Sequence, residues 1–250
     1  MKIALMGYGR MGRAVEAVAR ERGYEVVARL RAADVKDGLG AGALGDAELA
    51  FEFSVPEAAA ANIESAAAAG VDVVAGTTGW YGELERVRSA VEAAGVGLIY
   101  APNFSLGVQA FFRLARLAAR LADRLEAWDV YVLEAHHRHK KDHPSGTAER
   151  LAEIVLAESS RKREWRATPG SGPIAPDVLQ VASIRAGEIP GMHMLGLEGP
   201  DDRIEVRHES RGRSAFARGA VTAAEWVRGR RGVYTIDDLL SETFGPRENV

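Results

Sequence analysis

The residues best suited to chemistry form one run, Glu134-Ala135-His136-His137-Arg138-His139-Lys140-Lys141-Asp142-His143-Pro144-Ser145-Gly146-Thr147-Ala148, which holds four of the six histidines in a chain of 250 residues. An imidazole near its pKa donates a proton at neutral pH, and a neighbouring ammonium assists or neutralises charge. Pro144 and Ser145 predict a helix start, where the N–H groups of Ser145, Gly146 and Thr147 and the helix dipole favour an anion. Gly146 keeps the approach open, two hydroxyls add donors, and Lys140, Lys141 and His137 supply positive field, so a small dianion is the natural ligand. Two alternatives compete. A metal centre from His136, His137 and His139 is disfavoured, because the chain has no cysteine and Arg138, Lys140 and Lys141 repel a cation. A solvated basic loop or nucleic-acid patch leaves the helix start unexplained.

A second constellation opens the chain. Gly7-Tyr8-Gly9-Arg10-Met11-Gly12 lies between an apolar strand, Lys2 to Met6, and an amphipathic helix, Arg13 to Arg22. In that context the first glycine allows the tight turn, the second lets backbone approach a pyrophosphate, and the third packs helix on strand, as in dinucleotide sites. After the second strand stands Arg29-Leu30-Arg31, where NAD-specific enzymes usually carry a carboxylate for the ribose 2′-hydroxyl. A guanidinium there, Arg31 above all, tilts the cofactor toward NADPH, with NADH still open. Solvated charges at Arg29 and Arg31, or Asp34 folding back to the ribose, are the competing readings. Gly76-Thr77-Thr78-Gly79 and Ala101-Pro102-Asn103-Phe104-Ser105 each follow a strand, where open parallel sheets place ligands, and should face the nicotinamide.

The elements that position these residues follow from periodicity. Strands at Tyr24 to Leu30, Leu49 to Phe53, Val71 to Ala75 and Val96 to Ala101 alternate with helices at Pro56 to Ala69 and Tyr81 to Ala94, the pattern of a Rossmann-type doubly wound parallel sheet. Past Ser105 the rhythm changes. Gly107 to Leu125 reads as one long helix with Phe111, Leu114, Leu117, Ala118 and Leu121 on its apolar stripe, then Trp128 to Leu133 as a strand. Val178 to Arg185, His193 to Glu198 and Arg203 to Ser210 read as strands of a smaller α+β unit with a mixed sheet, Arg161 to Pro176 as a loop, Ala215 to Val227 as a helix, and Thr235 to Leu240 as a closing segment. A net charge of −3 argues against non-specific nucleic-acid binding. No stretch approaches the ~20 apolar residues of a membrane span and no signal-peptide core follows Met1, so a cytoplasmic protein is expected.

With these motifs in this order, and with Arg185-Ala186-Gly187 and Phe216-Ala217-Arg218-Gly219-Ala220 further on, the chain resembles the 4-hydroxy-tetrahydrodipicolinate (dihydrodipicolinate) reductases. The resemblance spans nearly the whole chain. It implies a dinucleotide-binding domain over 1–104 and 216–250, a substrate-binding and oligomerisation domain over 105–215, and a homotetramer joined through the mixed sheets. It implies NAD(P)H-dependent reduction of 4-hydroxy-tetrahydrodipicolinate (or dihydrodipicolinate) to tetrahydrodipicolinate in diaminopimelate and lysine biosynthesis. By position, His136 matches the proton donor and Lys140 its catalytic partner, while His137, Gly146 and Thr147, beside Ser145, match the binding of a small dicarboxylate. Gly7 to Gly12, Gly76 to Thr78 and Ala101 to Phe104 match cofactor contacts. The chain departs from the family at His143, at Arg31, and in the 161–176 loop. Rival readings are another NAD(P)-dependent dehydrogenase of a small carboxylate, and a nucleotide-sensing DNA-binding protein using Arg207, Arg211, Arg213 and Arg228.

Overall fold

The computed structural model describes residues 1–31, 34, 39–40, 42–167 and 172–245. Residues 168–171 of the expected loop and 246–250 of the expected C-terminal stretch lie outside the described residues. Among the described residues two compact units emerge, one made of residues 1–106 and 213–245, the other of 107–212.

The first unit begins β1 (Lys2–Met6), α1 (Arg10–Glu21), β2 (Glu25–Leu30), β3 (Leu49–Glu52), α2 (Pro56–Ala68), β4 (Asp72–Ala75), α3 (Leu84–Ala94) and β5 (Gly97–Tyr100). Strand interiors such as Ile3, Ala4, Leu5 and Met6 are almost fully buried whichever face they point to, because helices cover both sides of a parallel sheet. Pro56 occupies the first turn of α2, where its missing N–H costs nothing, and Gly95 ends α3 in the left-handed conformation. The second unit runs α4 (Leu106–Asp123), β6 (Asp129–His136), α5 (Gly146–Glu158), β7 (Glu164–Ala167), β8 (Val178–Arg185), β9 (Met192–Glu198) and β10 (Arg203–Glu209). The chain then returns to the first unit with α6 (Ser214–Val227), β11 (Gly232–Thr235) and α7 (Ile236–Phe244).

The first sheet is parallel throughout, in the order β11-β5-β4-β3-β1-β2. The winding direction reverses between β1 and β3, so a crevice opens at their carboxyl ends. The second sheet, β10-β9-β6-β8-β7, is mixed: β6, β8 and β7 pair in parallel, and β9 runs antiparallel to both its neighbours, β6 and β10. Its core joins Val130, Val132, Leu179, Val181, Leu195 and Leu197 to α4 and α5.

Three expectations need correction, and one strand goes beyond them. The 161–176 stretch carries β7, an edge strand whose alternation of Glu164 and Arg166 with half-buried Trp165 and Ala167 is too short to stand out. Val233 and Tyr234 belong to β11, which needs β5 as a partner and so gives little local signal. The strand after Trp128 extends to His136 rather than ending at Leu133. On α4 the buried stripe is Phe111, Ala115, Ala118, Ala119 and Ala122, and Leu114, Leu117 and Leu121 are exposed. Small alanines bring the helix close to the sheet, and that fit outweighs raw hydrophobicity.

Candidate active site

In the second unit the site follows from strand register. Side chains two residues apart on a strand share a face, so Glu134 and His136 stand together at the carboxyl end of β6, beyond Val130 and Val132. Pairing sets His193 of β9 opposite Glu134, and Arg185 of β8 opposite His136. Glu134 Oε2 lies 2.5 Å from His136 Nδ1. Arg185 grips the same carboxylate with both ends of its guanidinium, at 2.6 and 2.8 Å. The Ser145 N–H donates to Glu134 Oε1 at 3.2 Å, and Ser145 Oγ lies 2.9 Å from His193 Nε2. Glu134 is fully buried, which opposes ionisation, yet hydrogen bonds from His136 and Arg185 hold its carboxyl well below the usual range. Burial, reinforced by the charge of His136, pushes His193 down to about 3 and keeps it neutral.

Ser145 is the N-cap of α5, its Oγ accepting from the Ala148 N–H at 3.3 Å. The expectation of three free N–H groups at this helix start is thereby corrected: the Ser145 N–H is committed to Glu134. The Asp142 carboxylate takes Lys140 Nζ at 2.7 Å, so an internal anion already rests on Lys140 shortly before the helix start. Burial works to raise the Asp142 carboxyl, but the Lys140 ammonium together with backbone N–H groups holds it below its ordinary value. Gly146 is exposed, with open space where a Cβ would be, and Thr147 is half-buried beside it. His137 lies next in chain to His136, with its ring 6.1 Å from that of His139, while Lys141 and His143 are exposed. The loop is pinned at its base, with Ala186 N–H on His136 O and Arg138 N–H on Gly187 O.

The first unit carries a different cradle. Gly7 has φ +96°, and a Cβ on it would fall 2.1 Å from Phe53 O; one on Gly12 would fall 2.4 Å from Gly7 O. Both positions therefore demand glycine. A Cβ on Gly9 would meet nothing, which is the open approach a pyrophosphate needs, and Gly9 caps α1 without a side chain, leaving that helix start to a ligand. The Gly7 and Tyr8 N–H groups both bond Leu30 O, tying the turn to the end of β2. Arg10 is exposed and Met11 half-buried on the first turn of α1.

Phe53, which the sequence reading passed over, gathers the remaining loops. A Cβ on Gly76 would strike its ring, and the Phe104 ring packs edge-on against it at 6.5 Å. Gly7, Gly76 and Phe104 thus meet at the crevice between β1 and β3. Thr77 is buried, its carbonyl taking the Trp80 indole N–H at 2.9 Å, while Thr78 and Pro102 are exposed. Ala101 is buried, and Asn103 Oδ1 accepts the Ser105 N–H at 2.8 Å.

Arg29 and Arg31 part company. Arg29 is locked to Glu16 at 2.6 and 3.0 Å; this bond, with help from Tyr8 and Arg20 and against burial, lowers Glu16 to about 2. Arg31 stays exposed, and its backbone N–H takes the Asp34 carboxylate at 2.7 Å. Below the crevice Glu52 is fully buried with Ser54 and Asn62, and burial pushes its carboxyl up against their hydrogen bonds. A raised carboxyl stabilises the fold below its unfolded pKa and loses that contribution as pH rises through the folded value. Glu52→Gln should therefore match wild type in thermal melting near pH 4 and exceed it increasingly toward pH 9; a constant offset would contradict the burial argument.

A glycine turn with an open approach at the switch point of a parallel sheet, in a chain whose second unit gathers Glu134, His136, Arg185 and His193, has the architecture of an NAD(P)-dependent oxidoreductase. Residues 1–104 match the family model of the dihydrodipicolinate reductase N-terminus, and residues 107–240 that of its C-terminus. The chain belongs to the dihydrodipicolinate reductase family, the NAD(P)H-dependent oxidoreductases that perform the reduction step of diaminopimelate and lysine biosynthesis. It is 37% identical to the 4-hydroxy-tetrahydrodipicolinate reductase of Christiangramia forsetii, covering 98% of this chain and 99% of that one. It is 40% identical to the same enzyme of Archaeoglobus fulgidus, covering 96% and 100%. A dipicolinate-bound dihydrodipicolinate reductase from Paenisporosarcina sp. TG-14 shares the fold with TM-score 0.74 at 20% identity, covering 94% and 97%. The DNA-binding alternative loses support, since Arg207 and Arg228 are paired with Glu209 and Glu48.

Proposed function

We propose that His136 is the proton donor and Lys140 its cationic partner in reducing 4-hydroxy-tetrahydrodipicolinate or its dehydrated form, with Gly146, Thr147, Ser145 and His137 forming the dicarboxylate site. The observation that carries this reading is the Asp142 carboxylate resting on Lys140 Nζ at 2.7 Å shortly before the start of α5, an internal anion of the kind a substrate carboxylate would replace. Bound NAD(P)H supplies the hydride. Lys140 and the start of α5 then hold the substrate's carboxylates, and His136, its Nδ1 engaged by Glu134, offers Nε2 to the ring as electron density builds there. Gly7 to Gly12 hold the pyrophosphate, and Gly76 to Thr78 with Ala101 to Phe104 contact the nicotinamide end. Oxidation of NADPH or NADH on adding freshly made aldolase product, followed by absorbance, tests the reading; no oxidation while both cofactors still bind would refute it.

Arg31 binds the 2′-phosphate in this reading, so NADPH is the preferred cofactor. A charge-assisted pair of this kind contributes about 1.5–3 kcal/mol. Arg31→Ala should raise KM for NADPH by roughly tenfold to a hundredfold and leave that for NADH unchanged; equal effects on both would remove Arg31 from the phosphate site. The site of action is the cytoplasm. Among the described residues no helix is long and apolar enough to cross a membrane. Four copies associate through the second sheet, whose face turned away from Val130 and Val132 carries Leu133, Ala182, Ile184 and Met192, all at least partly exposed. Light scattering should give the mass of a tetramer.

A further inference from the structure

We infer that Glu134 is a positioning residue that fixes which nitrogen of His136 delivers the proton. The inference rests on the donor assignment above. Each oxygen of the carboxylate is fully used. Oε1 accepts from Arg185 Nη2 at 2.6 Å and the Ser145 N–H at 3.2 Å, and Oε2 lies 2.8 Å from Arg185 Nη1 and 2.5 Å from His136 Nδ1. An ionised carboxylate only accepts, and the other contacts are donors, so Nδ1 carries a hydrogen and Nε2 is the nitrogen left to face substrate.

The far side of the ring supports this division. Gly191 has φ +141°, and a Cβ there would stand 3.0 Å from Nε2 and 3.2 Å from its neighbouring carbon. Glycine keeps that nitrogen reachable although His136 is 8% exposed. The second histidine, His193, with its ring 5.0 Å away, is held neutral by burial and bonded to Ser145 Oγ, so it adds no competing charge. Arg185 balances Glu134 whichever state His136 adopts, which lets the buried carboxylate stay ionised after the transfer. In the step itself the Nε2–H bond breaks and its proton joins the electron pair released on the substrate by hydride addition, the reduced nicotinamide being oxidised by two electrons. The imidazole is left neutral, still bonded through Nδ1–H to Glu134. The same carboxylate also accepts the Ser145 N–H, which keeps its Oε1 end fixed while Oε2 holds the ring.

The first measurement uses the wild-type protein: the ¹⁵N spectrum of its histidines above neutral pH, with His136→Gln for assignment. His136 should show a protonated Nδ1 and a bare Nε2; the opposite tautomer overturns the inference. The second uses Glu134→Gln, whose amide must point its N–H₂ at two donors in either orientation. The expected result is kcat lower by at least tenfold with KM for the dicarboxylate within threefold, and loss of the single tautomer. An unchanged kcat, or a loss confined to KM, overturns it. His136→Gln assayed alongside separates the two readings: full turnover there overturns the donor assignment itself, whereas slow turnover there with normal Glu134→Gln turnover overturns the positioning role alone.

Discussion

His136→Gln is expected to lower kcat by about two to three orders of magnitude, the range removed with a general acid. KM for the dicarboxylate should stay within a few-fold, because the proposed carboxylate contacts are Lys140 and the start of α5 and not His136. Cofactor affinity should not change, since the phosphate-binding turn belongs to the other unit. Glutamine keeps a polar end near Glu134 and fills most of the imidazole space, so the thermal midpoint should move little. Steady-state rates from NADPH absorbance, with melting curves alongside, make the check. A kcat within threefold of wild type would remove His136 from the proton path and turn attention to Lys140 or a bound water.

The parts of this protein that were legible in the sequence are those whose cause is local. Gly7 and Gly12 announce themselves because a Cβ at either would collide with backbone a few residues away or across one strand pair. Ser145 reads as a cap because the donor it satisfies, the Ala148 N–H, lies three residues on. The resemblance added the roles of His136 and Lys140, which no periodicity reveals. What stayed hidden depends on distant partners. Phe53 looks like the last residue of an ordinary strand until Gly76 and Phe104 are brought against it. β11 exists because β5 offers it an edge, and Arg29 is removed from the cofactor question by Glu16, a residue on the facing helix. One missed feature did have a local signal. Glu134 and His136 stand two apart, and once the strand is extended to His136 that spacing alone puts them on one face. The end of this strand is hard to read locally because charged and histidine side chains look like loop when the partners that enclose them, Arg185 and His193, lie far along the chain.

Lys140 gives the second large expected effect, and its size follows from where charge sits in the free protein. Its ammonium rests on the Asp142 carboxylate at 2.7 Å, so its charge is already neutralised in the free protein. A substrate carboxylate entering here exchanges one carboxylate for another, and the net gain in ground-state binding from Lys140 is modest. Negative charge that develops on the ring during hydride addition has no such counterpart in the resting site, and there the ammonium acts at full strength in a partly buried setting. Lys140→Met should therefore cost about two orders of magnitude in kcat and only a few-fold in KM. The pattern distinguishes this role from simple substrate capture, which would raise KM and spare kcat. Rates at saturating NADPH across a range of dicarboxylate concentrations give both constants from one series. A rise in KM alone would assign Lys140 to binding and leave His136, held by Glu134, as the only group acting on the transition state.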